Sequence, residues 1–251
     1  ISELNFPSKS AYSIHVMKMC DGFSELGYEV NLFTINTKNS SKAFKDYNLR
    51  KKFNIFSIFD NHTNLNFFLR VIYSFKILSN KFDKNYLFIS RSIIFAIIAS
   101  ILKKKIILEL HHEITGFTRV IYFISKYLKL IKSLRFIFLH KELQKYYKIE
   151  NKKNIVLDDA SDIKSFSTKK TKKIRNTCVY IGSFFEGKGV EQIFRLAKKN
   201  RKINFHIYGE KKYLINESNQ SNVKIHNYVN YSKIPKILSK YNVALMPYQN
   251  K

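Results

Sequence analysis

The stretch with the clearest chemical potential is a glycine-rich segment that contains one lysine. An apolar run ends at Ile181, and apolar residues recur at helical spacing from Val190 onward. A strand, a glycine-rich turn and a helix in this order bring backbone N–H groups and the positive end of a helix to one point, where a phosphate binds well. The segment therefore predicts a diphosphate-binding site. Its residues are Gly182, Ser183, Gly187, Lys188 and Gly189.

Three interpretations of this segment stay open. Residues 182–189 read G-x-x-x-x-G-K-G, which departs from the P-loop pattern because Gly189 has no hydroxyl to bind magnesium. The segment also fits an ordinary turn between a strand and a helix, with a surface lysine. Finally, Tyr180-Ile-Gly-Ser, Glu186-Gly-Lys-Gly-Val-Glu and Phe205-His-Ile-Tyr-Gly209 together resemble the donor-binding half of the family 4 (group 1) glycosyltransferases.

This resemblance implies the GT-B fold and transfer of a sugar from a nucleoside diphosphate sugar, with retained configuration and no metal or other cofactor. Charge develops on the leaving phosphate, and Lys188 with the glycine backbone would stabilise it. The resemblance also implies that Gly209, with its neighbour Glu210, lies near the nucleotide. Ser183 stands where the family usually has an arginine, so one cation of the expected pair is missing.

A second candidate site follows the strand predicted at residues 105–110. His111 and His112 stand at its carboxyl end, where ligands bind in open α/β sheets. Adjacent residues of a strand point to opposite faces, which argues against a metal site shared by these two histidines, and no metal site is predicted. Glu109-Leu-His111 resembles the family's E-x-H motif, whose histidine faces the donor sugar. His111 is the catalytic candidate and His112 the fallback, whereas the alternative is a strand-end histidine bonded to backbone.

Two loops complete the predicted site. Leu26-Gly-Tyr-Glu-Val30 resembles the end of the family's N-terminal motif. That likeness implies that Ser10 and Ala11, which stand where the family often has glycines, lie beside the donor phosphates and the acceptor. Asp158-Asp-Ala-Ser-Asp162 resembles the loop that closes the N-terminal domain, which assigns Asp162 to the cleft between the domains.

Apolar periodicity predicts the elements that position these residues. Two consecutive series of alternating strands and helices indicate an α/β fold, with two Rossmann-like doubly wound domains facing a cleft. Residues 1–166 form the acceptor-side domain, the polar residues 167–176 the linker, and residues 177–251 the nucleotide-sugar-binding domain. The chain begins without Met and stops after a strand-like run, so both ends look cut and the second domain is expected to be incomplete.

The charge of the chain suggests further partners. The 251 residues carry a formal net charge of +27, and a basic surface attracts nucleic acid, anionic lipid or an anionic substrate. The lysines are spread along the chain without a nucleic-acid motif, so biased composition explains much of the charge and nucleic acid is disfavoured. A basic amphipathic pattern from Ile114 to Leu134 predicts one helix, which either packs on the sheet or lies on a membrane surface.

The favoured function is a retaining glycosyltransferase of the hexosyltransferase type, acting on a glycan or lipid-linked acceptor in surface polysaccharide or glycolipid synthesis. The alternatives are a sugar-nucleotide epimerase of the same fold and a P-loop nucleotide-binding protein. The two cysteines are far apart, and no apolar run reaches the ~20 residues of a spanning helix. These features favour a cytoplasmic protein, with a peripheral position at the inner face of the plasma membrane as a further prediction. The family's acidic E-x7-E pair is expected after Tyr248, so the chain as given is expected to lack it and to be inactive alone.

Overall fold

The computed structural model describes residues 1–60, 64–83, 85–149, 151–166, 172–210 and 220–247. The chain divides into two compact units. The first unit comprises Ile1–Phe44 and Leu49–Ser161, and the second comprises Lys45–Asn48 and Asp162–Lys251.

The first unit is built on parallel strands. One sheet has the order β1-β2-β3, and the other has the order β4-β5-β6-β7. The amino group of Ile1 donates to the carbonyl of Ile89 at 2.7 Å, which joins the start of β1 to β4. The strands are β1 (Ser2–Phe6), β2 (Asn31–Thr37), β3 (Asn54–Ser57), β4 (Leu87–Ser90), β5 (Lys105–Leu110), β6 (Leu134–Phe138) and β7 (Asn154–Val156).

Helices follow most of these strands, as the predicted alternation requires. They are α1 (Ala11–Glu25), α2 (Ser40–Asp46), α3 (Phe67–Leu78), α4 (Ile93–Ile101), α5 (Gly116–Tyr127) and α6 (Lys141–Tyr147). Helix α4 lies in the core of the unit, since its Phe95, Ala96 and Ala99 are fully buried. One apolar core joins both sheets, because Phe33 and Ile35 of β2 belong to the same cluster as Leu108 of β5.

The second unit repeats the pattern with four parallel strands in the order β10-β9-β8-β11. Its core packs Ile193 and Ala197 of α8 against Phe205 and Ile207 of β9. β8 begins at Ile174, inside the segment predicted as the linker, and residues 167–171 of that segment lie outside the described residues. The elements are α7 (Ile163–Phe166), β8 (Ile174–Ile181), α8 (Val190–Lys199), β9 (Asn204–Tyr208), β10 (Val223–His226), α9 (Ile234–Leu238) and β11 (Tyr241–Ala244).

The largest difference from the sequence-based elements concerns the basic amphipathic segment. The predicted single helix over residues 114–134 is wrong, because α5 ends at Tyr127 and the chain turns before β6. Lys129 adopts a left-handed φ of 57°, and the N–H of Leu130 donates to the carbonyl of Ser125 at 2.9 Å. This arrangement satisfies the last carbonyls of the helix without a glycine, so the sequence carries no clear stop signal.

Within the described parts of the chain, no helix combines the length and the apolar character that crossing a membrane requires.

Candidate functional site

Glu109, near the carboxyl end of β5, contacts two histidines. Its side chain is buried, and its Oε1 makes a short contact with Nε2 of His111. Nε2 of His15, on α1, lies 2.7 Å from the same oxygen, although it is not aligned as a hydrogen bond. The two imidazole rings meet edge to face with their centroids 5.0 Å apart. The two histidines therefore converge on one buried carboxylate oxygen.

The histidines keep this carboxylate ionised. Burial raises the pKa of Glu109, but the interactions with His111 and His15 and their charges outweigh burial and lower the pKa to about 2. An ionised carboxylate at neutral pH orients the His111 ring through Nε2. His112 is exposed and the structure records no contact with Glu109 for it, so the geometry favours His111 over the fallback residue.

The same three side chains are close enough to share an ion. One potential ligand atom from each of His15, Glu109 and His111 lies within 4.8 Å of the others. Imidazole nitrogens and a carboxylate oxygen are typical zinc ligands, so the set fits a divalent ion. Two histidines beside one ionised carboxylate also account for the contacts without an ion, with one hydrogen bond to His111 and one electrostatic contact with His15. In the sequence only His111 and His112 are neighbours, and nothing there links them to His15.

His15 is the residue that sequence reasoning missed. It lies on α1, one helical turn after Tyr12, and nothing in its local sequence distinguishes it from a surface histidine. Ser10 is the N-cap of this helix, and its hydroxyl accepts from the N–H of Ser13 at 3.1 Å. Ala11 is the first residue of the helix. The contact of Ser10 and Ala11 with a substrate stays a prediction.

A cavity of about 320 Å³ lies in the same unit. Its polar wall is formed by Glu3, Tyr12, Arg70, Arg91, Ser92 and Thr118. Arg91 follows the last residue of β4, and Tyr12 lies on the helix that carries His15.

The glycine-rich turn of the second unit has the backbone geometry that its sequence predicts. Gly187 and Gly189 adopt left-handed φ values of 83° and 74° on either side of Lys188, and α8 begins directly afterward. A side chain at Gly189 would meet the carbonyl oxygen of Pro247 at 1.6 Å. These positions therefore require glycine, and they bring the backbone and Lys188 to the start of α8.

The other predicted donor residues lie at the same edge of this sheet. The N–H of Gly182 donates to the carbonyl of Tyr208 at 3.0 Å. Gly209 packs so closely that a Cβ would lie 2.4 Å from the carbonyl oxygen of Gly182. Ser183 is exposed and its carbonyl accepts from the hydroxyl of Tyr180 at 2.7 Å, while Glu210 is half-buried beside Gly209.

Asp162 has a structural partner in its own unit. Its carboxylate accepts from the hydroxyl of Ser165 at 2.5 Å and from the N–H of Ser165 at 3.3 Å, at the start of α7. This contact explains the local turn, and a role for Asp162 in a cleft stays a prediction.

Comparison with known proteins identifies the fold and no sequence family. No protein-family model matches the chain, and no curated protein matches it. A glycosyltransferase from Rickettsia africae ESF-5 matches with a TM-score of 0.67 at 11% identity, over 98% of this chain and 72% of that chain. Anabaena Alr3699/HepE, solved in complex with UDP and glucose, matches with a TM-score of 0.63 at 10% identity, over 97% and 73%.

A third solved structure extends the same likeness. WaaG, a glycosyltransferase involved in lipopolysaccharide biosynthesis, matches with a TM-score of 0.51 at 13% identity, over 100% of this chain and 75% of that chain. The prediction of an α/β fold with two Rossmann-like units of the GT-B type is confirmed. A structural likeness at identities this low establishes the fold alone. The function has to be argued from the site.

Proposed function

We propose that this chain is a glycosyltransferase that takes its sugar from a nucleoside diphosphate sugar. The observation that carries the proposal is the turn before α8, where Gly187 and Gly189 adopt left-handed conformations around Lys188. Backbone N–H groups at the start of the helix and one cation suit the diphosphate of the leaving group. Likeness of fold to two glycosyltransferases, and to a protein solved in complex with UDP and glucose, supports the same class.

The finer chemistry follows from the resemblance to family 4 and is part of the proposal. Transfer retains the configuration of a hexose and needs no metal, because Lys188 and the helix stabilise the charge of the departing diphosphate. His111, oriented by the ionised Glu109, bonds a hydroxyl of the donor sugar near the reacting carbon. Gly209 and Glu210 border the nucleotide in this arrangement.

Calorimetry with UDP tests the donor site in the full-length protein. We expect UDP to bind equally well in EDTA and in magnesium, and Lys188→Ala to weaken binding by about 1.5–3 kcal/mol, the range for a hydrogen bond to a charged group. Lys199→Ala is the matched control, because Lys199 is exposed in the last turn of the same helix. Binding that requires magnesium would support the P-loop alternative, and equal binding by both variants would contradict the assigned role of Lys188.

The acceptor is proposed to be lipid-linked and to be reached at a membrane surface. Apolar side chains are exposed along two helices of the first unit, and we call this set the apolar surface. Phe67 of α3 and Phe117 of α5 meet with ring centroids 5.6 Å apart, so the two helices contribute to one patch there. The apolar surface comprises Phe67, Phe68, Ile72 and Phe75 of α3, with Phe117, Val120, Phe123, Ile124 and Tyr127 of α5.

Basic side chains beside the apolar surface indicate what it binds. Arg119, Lys126, Lys129 and Lys132 are exposed on and just after α5. Apolar side chains flanked by basic ones are typical of segments that lie in the interface of an anionic membrane. The proposed location is the inner face of the plasma membrane, in the synthesis of a surface polysaccharide or glycolipid.

Sedimentation with vesicles tests this part separately. We expect strong binding to phosphatidylcholine vesicles containing about one-third phosphatidylglycerol, and weaker binding to pure phosphatidylcholine, because basic residues near the surface each contribute about 1 kcal/mol. Phe117→Ser should weaken binding roughly tenfold, because it removes an aromatic ring from the interface. Leu196→Ser, on the exposed side of α8, is the control. Equal binding by the two variants would contradict the membrane proposal and leave the donor site unaffected.

A further inference from the structure

Arg91 is a half-buried cation without an acid partner among the described residues. It follows β4 directly and lines the cavity described above. Its guanidinium carbon stacks over the ring of Tyr12, 4.0 Å from the centroid, and the structure records no ion pair or hydrogen bond for it within the described ranges. Stacking fixes the plane of the guanidinium and leaves its N–H donors for another acceptor. Such a group suits the fork-like recognition of a phosphate.

A second arginine adds to the positive character of the cavity. Nε of Arg70 lies 3.3 Å from Glu3 and also donates to the carbonyl of Leu65 at 3.2 Å. Two guanidinium groups and the one carboxylate of Glu3 give the wall a net charge of +1. Glu3 already accepts from the hydroxyl of Ser92, so its charge is partly shared within the wall. The cavity therefore favours an anionic group.

Residues that line the cavity lie next to residues of both the histidine cluster and the apolar surface. Tyr12, which lines the cavity, lies one helical turn before His15 on α1 and is therefore near the cluster of His15, Glu109 and His111. Burial raises the pKa of Tyr12 to about 12, with Arg91 and the Ser2 side chain lowering it and Glu3 and Glu109 raising it, so the phenol keeps its proton. Two other residues that line the cavity are close to the apolar surface in sequence. Arg70 follows Phe67 and Phe68, and Thr118 follows Phe117.

We propose that this cavity binds the phosphate group of the lipid-linked acceptor, with Arg91 as its principal ligand and Arg70 and Tyr12 as supporting donors. The hydrocarbon chain of that acceptor lies on the apolar surface, and the hydroxyl to be glycosylated points toward His111. This inference rests on the proposed glycosyltransferase function and names the substrate class of its acceptor side. The volume of about 320 Å³ is near the lower end of ordinary ligand pockets, which suits a head group and excludes a whole lipid.

Calorimetry with three small probes in the full-length protein tests the proposal. Octyl phosphate carries both a phosphate and a chain, octyl glucoside carries the chain alone, and inorganic phosphate carries the anion alone. Below their micellar concentrations, we expect octyl phosphate to bind more tightly than either of the others. Arg91→Gln should weaken octyl phosphate binding roughly tenfold or more, because it removes a charged donor, and leave octyl glucoside unchanged.

Control variants separate the cavity from overall charge and from folding. Arg201→Gln makes the same charge change at an exposed position of the second unit and should bind octyl phosphate like the wild type. Arg91→Lys keeps the charge without the fork and should retain part of the affinity. UDP binding and the thermal unfolding temperature, measured on each variant, show whether it has folded.

Each outcome bears on the proposal. Equal affinity of wild type and Arg91→Gln for octyl phosphate would overturn it, and so would an equal loss in Arg201→Gln. Inorganic phosphate that binds as tightly as octyl phosphate would overturn the lipid assignment. A protein that fails to bind UDP but binds octyl phosphate through Arg91 would contradict the proposed donor site and leave the phosphate cavity standing.

Discussion

Each unit has its candidate site at the carboxyl ends of parallel strands. The site of the first unit consists of side chains, whereas the site of the second unit consists mostly of backbone. Around Glu109 in the first unit, side chains from separate elements converge: two histidines on one carboxylate, and two arginines beside a tyrosine nearby. Around Gly189 in the second unit, the site is mostly backbone, shaped by glycines and one lysine.

From this difference we infer that the two sites bind different parts of the substrates. A backbone site presents N–H groups in a fixed geometry, which suits a diphosphate that every donor of this kind carries. A side-chain site varies in charge and shape, which suits the sugar and the acceptor. We therefore expect changes in the second unit to affect donor binding and folding, and changes in the first unit to affect turnover and the choice of acceptor.

The largest effect is expected from Gly189→Ala. The added Cβ would clash with the carbonyl of Pro247 and hold an alanine at a left-handed φ of 74°. Clash and strain together should cost about 3 kcal/mol or more and abolish UDP binding. Gly27→Ala, at a φ of 88° with open space around it, should cost only about 1 kcal/mol. Urea unfolding checks both, and similar losses in the two variants would show that the contact with Pro247 is unimportant.

The next prediction concerns chemistry in the first unit. His111→Phe should lower the rate of donor consumption roughly 100-fold and leave UDP binding unchanged, because the proposed role of the imidazole is to bond the sugar near the reacting carbon. His112→Phe is the matched control, since His112 is exposed in the next position of the chain. Steady-state assays with a nucleotide sugar measure both. A larger effect from His112 would mean that the side-chain site has been assigned to the wrong histidine.

The next prediction concerns the pH dependence of stability, which should depend on Glu109 in the side-chain site of the first unit. The pKa of Glu109 is lowered from 4.5 to about 2, so the stability gained from its ionised form is complete above about pH 4.5 and is lost as the pH falls toward 2. Glu109→Gln should therefore cost roughly 2–3 kcal/mol at pH 6. Its deficit relative to the wild type should shrink at pH 3. A pH-independent deficit would mean that the carboxylate is not held ionised by the histidines.

The smallest effect should come from a histidine pair in the sheet of the second unit. Nδ1 of His206 lies 2.9 Å from Nε2 of His226, and burial, followed by the charges of His226 and Lys224, lowers the pKa of His206 below 6.5. The unfolded chain then binds the proton more tightly, so stability is complete above about pH 6.5 and declines below it. His206→Gln should flatten this decline between pH 7 and 5.5, because glutamine does not bind a proton in this range. Thermal unfolding across this range measures it, and an unchanged slope would contradict the prediction.

Much of the fold could be predicted from the sequence because its signals are local. The apolar run over residues 105–110 predicts strand β5, which has the same bounds in the structure. The end of α5 could not be placed, because Lys129 adopts a left-handed conformation that residues other than glycine seldom take. The glycine-rich turn was found for the opposite reason, since the glycines themselves mark the backbone geometry.

The sequence by itself determined the two βαβ series and the residues of the glycine-rich turn, because glycine positions and apolar periods act over a few residues. Only the tertiary structure decided that His15 meets Glu109, far along the chain, and that Arg70 and Arg91 share one cavity with Tyr12. No period or motif links such positions. They become neighbours because parallel strands align their carboxyl ends and helices cross over between them, so side chains from separate segments collect at one edge.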